Sequence, residues 1–276
     1  MKNIYFITVN FNNANYTLKY IESIMKLAPS SFRVDVTIVD NASDREDYDK
    51  LERERSEWRN VRLIRNANNL GYFRALNIGI TSLDRENQGK GKKGSLFVVG
   101  NNDIEFQKDF LSELEKIRYD DRTLVLAPDV VTWDGYHQNP HCIQRVSTLR
   151  KVGYKLYFMN YTFGRFIYWL MQKKKRIKYN KIKIEHSIER YIHMGIGACY
   201  ILTEHFFKYY DKLDESVFLW GEEALLAGQV NVVGGKTLYN PNIVVYHSEG
   251  KTIGKIPTKK IYQISRESYK TYSKYL

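Results

Sequence analysis

The apolar positions of the first hundred residues follow two alternating rhythms. Ile4–Val9 is a short, nearly continuous apolar run, as a strand buried on both faces requires. Tyr16–Leu27 then sets Leu18, Ile21, Ile24, Met25 and Leu27 at helical spacing, and Pro29-Ser30-Ser31 ends that stripe. Val34–Val39 is a second, β-branched run. Ser43, with Glu46 three residues on, reads as the capping box of a charged helix. Val61–Ile64 predicts a third strand, Tyr72–Leu83 a helix entered through Gly71, and Leu96–Val99 a fourth strand. The polar, Gly- and Lys-rich Asp84–Gly94 reads as a surface loop. Strands alternating with helices predict a mostly parallel sheet with helices on both faces.

The second half is less regular. Leu124–Ala127 predicts a strand, and Thr132–Val152 is polar, with His137, His141 and Cys142 close together. Tyr154–Met171 is rich in Tyr, Phe, Leu and Trp, and Lys173, Lys174, Lys175, Arg176, Lys178, Lys181 and Lys183 follow it. A second apolar segment, Ile192–Leu202, contains Gly195 and Gly197. Ala224–Val230 is helical in pattern, Val244-Val245-Tyr246-His247 ends an apolar strand, and Lys251–Leu276 reads as a basic, Tyr-studded helix or tail. Neither an internal repeat nor a linker interrupts the chain, which predicts one domain with a C-terminal extension.

Charge changes this picture more than length does. The 276 residues carry 43 Lys and Arg against 31 Asp and Glu, a net +12. That excludes an acidic, solvating protein and points to anionic partners: phosphates, nucleic acid or a lipid surface. Two distant cysteines, Cys142 and Cys199, exclude a disulfide framework and a four-cysteine zinc site, and fit a reducing compartment. The opening MKNIYFITVNFNNANY is too short an apolar run for a signal peptide or a membrane span. The 22 tyrosines suit stacking on rings, whether bases or sugars.

In an open α/β sheet, ligands bind beyond the carboxyl ends of the strands. The four predicted strands deliver Thr8–Asn12, Val39–Ser43, Asn66–Arg74, and Gly100-Asn101-Asn102-Asp103 to that edge. Asn and Asp also form turns, so each ending alone reads equally as a loop. Asp40 can accept the imide N–H of a uracil or thymine ring, with Asn10 and Phe11 flanking it. Arg74 suits a phosphate or a base carbonyl, and Gly71 lets backbone pass close to a nucleotide. Asp103 is a candidate ligand for a divalent cation that bridges a diphosphate. No G-x-G-x-x-G follows the first strand and no G-x-x-x-x-G-K-[ST] occurs, which argues against a dinucleotide dehydrogenase and a P-loop ATPase. In Trp220-Gly221-Glu222-Glu223 a carboxylate can serve as general base on a hydroxyl; the same acids also suit a helix N-terminus. Trp220 fits a stacked sugar or a core position, and His247 a metal ligand or a structural histidine.

Seven segments taken together, over roughly residues 3–250, resemble the glycosyltransferase family 2 enzymes of bacterial surface-polysaccharide synthesis. They are ITVNFNNANYTLKYIESI, VTIVDNASD, NANNLGYFRALNIGI, FVVGNNDIEF, GIGACYILTEHFF, KLDESVFLWGEE and NIVVYHSEGKT. The resemblance implies a GT-A fold, α/β with a Rossmann-like, mostly parallel central sheet flanked by helices. A nucleotide-binding half (about 1–103) and an acceptor half (about 104–250) would precede a C-terminal helical extension, 251–276. It implies inverting transfer from a UDP- or dTDP-sugar to a glycan hydroxyl, assisted by Mn2+ or Mg2+. Asn101-Asn102-Asp103 would be the version of D-x-D found here, with Asp103 and His247 the metal ligands. Thr8, Asn10, Phe11, Asp40, Asn41, Asn68, Gly71, Arg74, Asn77, Asn101 and Asn102 would hold the nucleotide sugar. Glu223 would be the base, with Glu222 and Trp220 orienting the acceptor. The chain departs from the family pattern at Asn101 for Asp, Glu223 for Asp, and Leu225 where an acid is usual.

The His137, His141 and Cys142 group lacks a fourth zinc ligand and reads as an acceptor-side loop. Tyr154–Met171 is too broken to span a bilayer. With the basic run up to Lys183 it reads either as an interfacial helix on an anionic membrane or as a buried aromatic helix with a solvated basic loop. The family's lipid-linked acceptors suit the first reading and imply a cytoplasmic protein peripheral to the inner membrane face. Two other functions stay open: an inactive sugar-nucleotide-binding partner subunit, and a basic nucleic-acid-binding module. The second leaves the acids unexplained and has no RNA-binding motif, so no nucleic-acid partner is expected.

Overall fold

A computed structural model describes residues 2–86, 92–167, 186–248 and 258–276. The predicted alternation is present in the first half: β1 (Lys2–Asn10), α1 (Ala14–Met25), β2 (Phe32–Asp40), α2 (Arg45–Arg55), β3 (Val61–Arg65), α3 (Tyr72–Glu86) and β4 (Leu96–Asn101). Then come β5 (Ile104–Phe106), α4 (Phe110–Lys116), β6 (Thr123–Thr132), α5 (Thr148–Tyr157), β7 (Arg190–Ile192) and β8 (Cys199–Leu202). The last elements are α6 (Glu222–Val232), β9 (Lys236–His247) and α7 (Thr258–Tyr272).

The strands form one sheet in the order β3-β2-β1-β4-β8-β6-β9-β5, with β7 also on β9. β1 to β4 pair in parallel. β8 runs against β4 and β6, while β6 and β9 are parallel to each other. The sheet is therefore mixed with a dominant direction: β5, β7 and β8 alone, among the described strands, run the other way. Successive residues of β1 point to opposite faces. Ile4 and Phe6 enter one core with α1 and α4; Tyr5 and Ile7 enter the other with α3, Phe206, Leu226 and Val230. Two buried faces explain the unbroken apolar run that predicted this strand.

Several local expectations are corrected. Ser43 is not a helix cap: Asp44 occupies that position without a side-chain cap bond. The Ser43 hydroxyl instead accepts from the Asn12 N–H at 2.9 Å and the Asn10 amide at 3.0 Å. Asp84–Glu86 continue α3 rather than open a loop, with Arg85 and Glu86 both good helix formers. Ile192–Leu202 is divided into β7, a turn through Gly195 and Gly197, and β8. Of the two forms expected for 251–276, helix or tail, the described part is helical. α7 lies against α6, joining Tyr269, Tyr272, Tyr275 and Leu276 to Cys142, Met194, Ala224 and Ala227. Of Tyr154–Met171, residues 154–157 end α5 and 161–167 are helical; 168–171 and the basic run lie outside the described residues.

Candidate active site

The parallel register brings Asn10 beside Asp40 and Val9 beside Asn101, so β1, β2 and β4 end on one edge. Asn10 is the hub of that edge. Its amide donates to Asp40 Oδ2 (2.9 Å), Ser43 Oγ (3.0 Å) and Asp47 Oδ2 (2.8 Å). Its carbonyl accepts from Thr17 Oγ1 at 2.8 Å, and Thr17 in turn accepts from Asn102 at 2.8 Å. Asp40 is fully buried, also takes the Ser43 N–H, and has Arg65 Nε at 3.8 Å. Asn41 ties the next loop down, donating to Asn69 and the Gly71 carbonyl and accepting from Asn66 and the Leu70 N–H. Gly71 takes φ +87°, and a Cβ there would stand 2.4 Å from the Phe218 carbonyl, so only glycine lets this turn meet the 218 loop.

These bonds sort the expected donor contacts. Asn10, Asp40 and Asn41 form an enclosed floor. Phe11, Asn101 and Asn102 are half-buried on it, and Asn68 and Arg74 are exposed at its rim. Thr8 and Asn77 point inward. Thr8 Oγ1 donates to the Gly100 carbonyl, and the Asn77 amide spans Leu213 and Glu215. Both brace the scaffold.

Asp103 and His247 meet just beyond β4. His247 Nδ1 lies 2.7 Å from Gln138 Oε1, an acceptor for the Nδ1 proton of the tautomer whose Nε2 lone pair faces inward. Nε2 then faces Asp103 Oδ1 at 3.2 Å and the Asn101 amide at 3.4 Å. Asp103 Oδ1 is buried and accepts no hydrogen bond. With that tautomer two electron-pair donors face each other across 3.2 Å, a donor set that fits a divalent metal. Among the described residues no three His, Cys, Asp or Glu cluster as a complete metal cage. Such a pair suits a cation whose remaining ligands are phosphate oxygens and water.

The acid pair stands on the same edge, joined to β4 through one short strap. Asn101 N–H donates to the Ala198 carbonyl (2.9 Å), and the preceding Gly197 N–H donates to Glu223 Oε1 (3.2 Å). A Cβ on Gly197 would fall 2.7 Å from that oxygen. Glu223 is half-buried, whereas Glu222 is 5% exposed with Oε1 unpartnered. Burial first, then the neighbouring Glu223, push the Glu222 carboxyl up to about 8, against the pull of the Trp220 and Glu222 backbone N–H groups. Held neutral near pH 7, Glu222 can donate a hydrogen bond.

The turn that presents them is held by α7. Trp220 and Gly221 both adopt positive φ, +66° and +96°. Ser268 Oγ donates to the Leu219 carbonyl at 2.7 Å, and the Tyr272 ring lies where a Gly221 Cβ would be, 2.0 Å from Cδ1. No local motif marks Gln138, Ser268 or Tyr272 in the sequence, and Gly197, within GIGACYILTEHFF, has no role predicted from it; each acts on a partner tens of residues away. His137 pairs with Asp129 at 2.7 Å and stacks on His186, and Cys142 is free and buried.

The sequence profile of Glycosyl transferase family 2 matches residues 5–179. The chain belongs to this family. No curated protein matches the sequence. Among solved structures, this glycosyl transferase family 2 chain is similar to GalNAc-T7 with UDP, GalNAc and Mn2+ (20% identity, TM-score 0.60), over 99% of this chain and 49% of that one. It is also similar to the mannosyltransferase PcManGT from Pyrobaculum calidifontis with GDP-Man and Mn2+ (13%, TM-score 0.59), over 98% and 62% of the two chains. S. aureus TarS 1-349 in complex with UDP is a third (13%, TM-score 0.56), over 96% and 63%. The family member described here spans about half to three fifths of the length of these structures, and shares their GT-A fold.

Proposed function

We propose that the protein is an inverting glycosyltransferase that moves a sugar from a UDP- or dTDP-sugar to a hydroxyl of a glycan acceptor. The donor half would be about 1–103 and the acceptor half about 104–250. The observation that carries this reading is the meeting of three groups on one sheet edge. They are the Asn10–Asp40 floor, the Asp103–His247 pair and the Glu222–Glu223 pair strapped to β4 through Gly197. The base would rest against that floor beside Phe11, with Arg74 at the rim toward phosphate. Asp103 and His247, with Asn101 alongside, would hold Mn2+ or Mg2+, which supplies charge neutralisation at a leaving diphosphate. Glu223 takes the proton of the acceptor hydroxyl as its oxygen attacks the anomeric carbon; the bond to the nucleotide breaks on the opposite side. Glu222, neutral and buried behind it, orients the acceptor by hydrogen bonding, and Trp220 offers a ring face to a sugar. An acceptor on a lipid carrier, as in capsule or O-antigen synthesis, would keep the protein peripheral at the cytoplasmic face of a bacterial inner membrane.

The test is a thermal-shift screen of UDP, dTDP, GDP and CDP and their sugars, with and without Mn2+. A ligand that binds only the folded state raises the melting temperature by mass action. The expected result is a shift with UDP or dTDP that grows with Mn2+. Glu223→Gln should keep that shift and lose roughly 10²–10⁴-fold in turnover, the range for a positioned general base. Unchanged turnover in Glu223→Gln would remove the base; no nucleotide shift would remove the donor site.

A further inference from the structure

We propose that the outer face of residues 149–166 docks on the anionic surface of a lipid bilayer. Among the described residues thirteen large hydrophobic side chains are exposed, and six of them fall in this short stretch: Leu149, Val152, Leu156, Met159, Phe163 and Phe166. The first three recur at i, i+3 and i+7 along α5, a helix with no buried residue. This exposure is not fraying, because the opposite side is fastened. Phe158 stacks on Tyr269 of α7 with ring centroids 4.5 Å apart, and the Tyr262 hydroxyl donates to the Tyr157 carbonyl at 3.0 Å. The segment is therefore firmly held, with Tyr154 and Phe158 packed inward and the six exposed apolar side chains outward.

Charge selects the occupant. From residue 135 to residue 184 the chain has no Asp or Glu and twelve Lys or Arg, Arg150, Lys151, Lys155 and Arg165 among them. Removing those twelve from the 43 basic residues leaves 31, equal to the 31 acids. The whole net charge of +12 thus belongs to this one stretch, and the rest of the chain is neutral. An apolar stripe beside Lys and Arg matches a leaflet with anionic headgroups, where each basic residue near the surface contributes about 1 kcal/mol and apolar side chains enter the acyl boundary. Nucleic acid would use the charge but leave Leu149, Val152 and Leu156 without a function. The segment shares a core with α6, through Tyr154 with Ala224 and Ala227, so docking brings the acid-pair side of the molecule to the membrane. The docking itself does not depend on the glycosyl-transfer reading; its use in reaching a lipid-linked acceptor does.

The test is co-sedimentation of the full chain with vesicles of phosphatidylcholine alone and with about 30 mol% phosphatidylglycerol. The expected result is binding to the second and not the first, weakened at least about tenfold at 0.5 M salt as the charge is screened. Replacing Leu149, Leu156 and Phe163 together by Ser should lower affinity for the anionic vesicles at least about tenfold. The melting temperature and the nucleotide thermal shift serve as folding controls. Should that triple change unfold the chain, Lys151→Glu with Lys155→Glu carries the same expectation. No binding to anionic vesicles overturns the proposal. So does undiminished binding by the folded Ser variant, or displacement of vesicles by double-stranded DNA with equal loss of DNA binding in that variant. Vesicle binding with an inactive enzyme would keep this proposal and sink the catalytic one.

Discussion

Glu222→Gln separates the two acids by a measurement that needs no substrate. Glu222 lies in the first turn of α6, where the helix dipole favours an anion. That preference is worth about 0.3–1 kcal/mol, up to about 2 in buried geometry. Removing the carboxylate from water costs more, and the result is a pKa raised from 4.5 to about 8. The rise corresponds to roughly 5 kcal/mol of preference for the neutral acid in the fold. Above pH 4.5 the unfolded chain releases this proton while the folded chain keeps it until about pH 8. The unfolded state then binds fewer protons, so Glu222 lowers stability as pH rises through that window, by up to about 1.4 kcal/mol per unit. Glutamine has the same shape and no proton to lose. Urea midpoints of both proteins, taken at steps between about pH 5 and pH 8, should diverge, with the variant gaining on the wild type at each step. Because Glu222 is mostly protonated at neutral pH, the variant should also hold turnover within about tenfold, unlike Glu223→Gln. A stability difference that stays flat across the window would refute the assignment of a buried, neutral Glu222.

Four further outcomes follow from the site geometry. Gly197→Ala sets a Cβ 2.7 Å from Glu223 Oε1 and must displace that carboxylate. A shift of about 1 Å predicts a loss near 100-fold in kcat, with nucleotide binding by calorimetry unchanged. Gly221→Ala must hold φ +96° and meet Tyr272, so it should lose about 1–3 kcal/mol from backbone strain alone, read as a fall in the urea midpoint. Tyr272→Ala should not restore it. Asp103→Asn should abolish the Mn2+-dependent part of the nucleotide thermal shift, and Gln138→Leu should weaken metal affinity about 10–100-fold by freeing the His247 ring.

The sequence was most legible where structure is local. Continuous apolar runs at Ile4–Val9 and Leu96–Val99 predicted central strands, because both faces of such strands are buried. β9 was recognised only from Val244 onward: its first half reads KTLYNPN, and Pro241 sits where the register against β6 slips between Asn240 and Val244. β5, three residues long, gives no periodicity at all. Ser43 had the cap pattern, but a hydroxyl beside the buried Asn10 amide satisfies a more costly group than an exposed helix end. Glu222, Glu223, Asp103 and His247 are legible as candidates only through strand endings and motif resemblance. The partners that hold them in place, Gln138 on His247 and α7 on Gly221, came from distant segments whose residue types are unremarkable in context.

Asn10 bears on how donor choice can change over generations of variants. One side chain joins the ends of β1 and β2 to α1 and α2 and lies at the floor of the proposed nucleotide site. On that proposal, recognition and folding rest on the same atoms. A substitution that widens this floor for another base also strands the Asp40 and Asp47 carboxylates without their shared donor, and is removed by instability before its new selectivity can be selected. Changes of donor are therefore expected at Phe11, Asn68 and Arg74, whose side chains border the site without carrying the sheet edge.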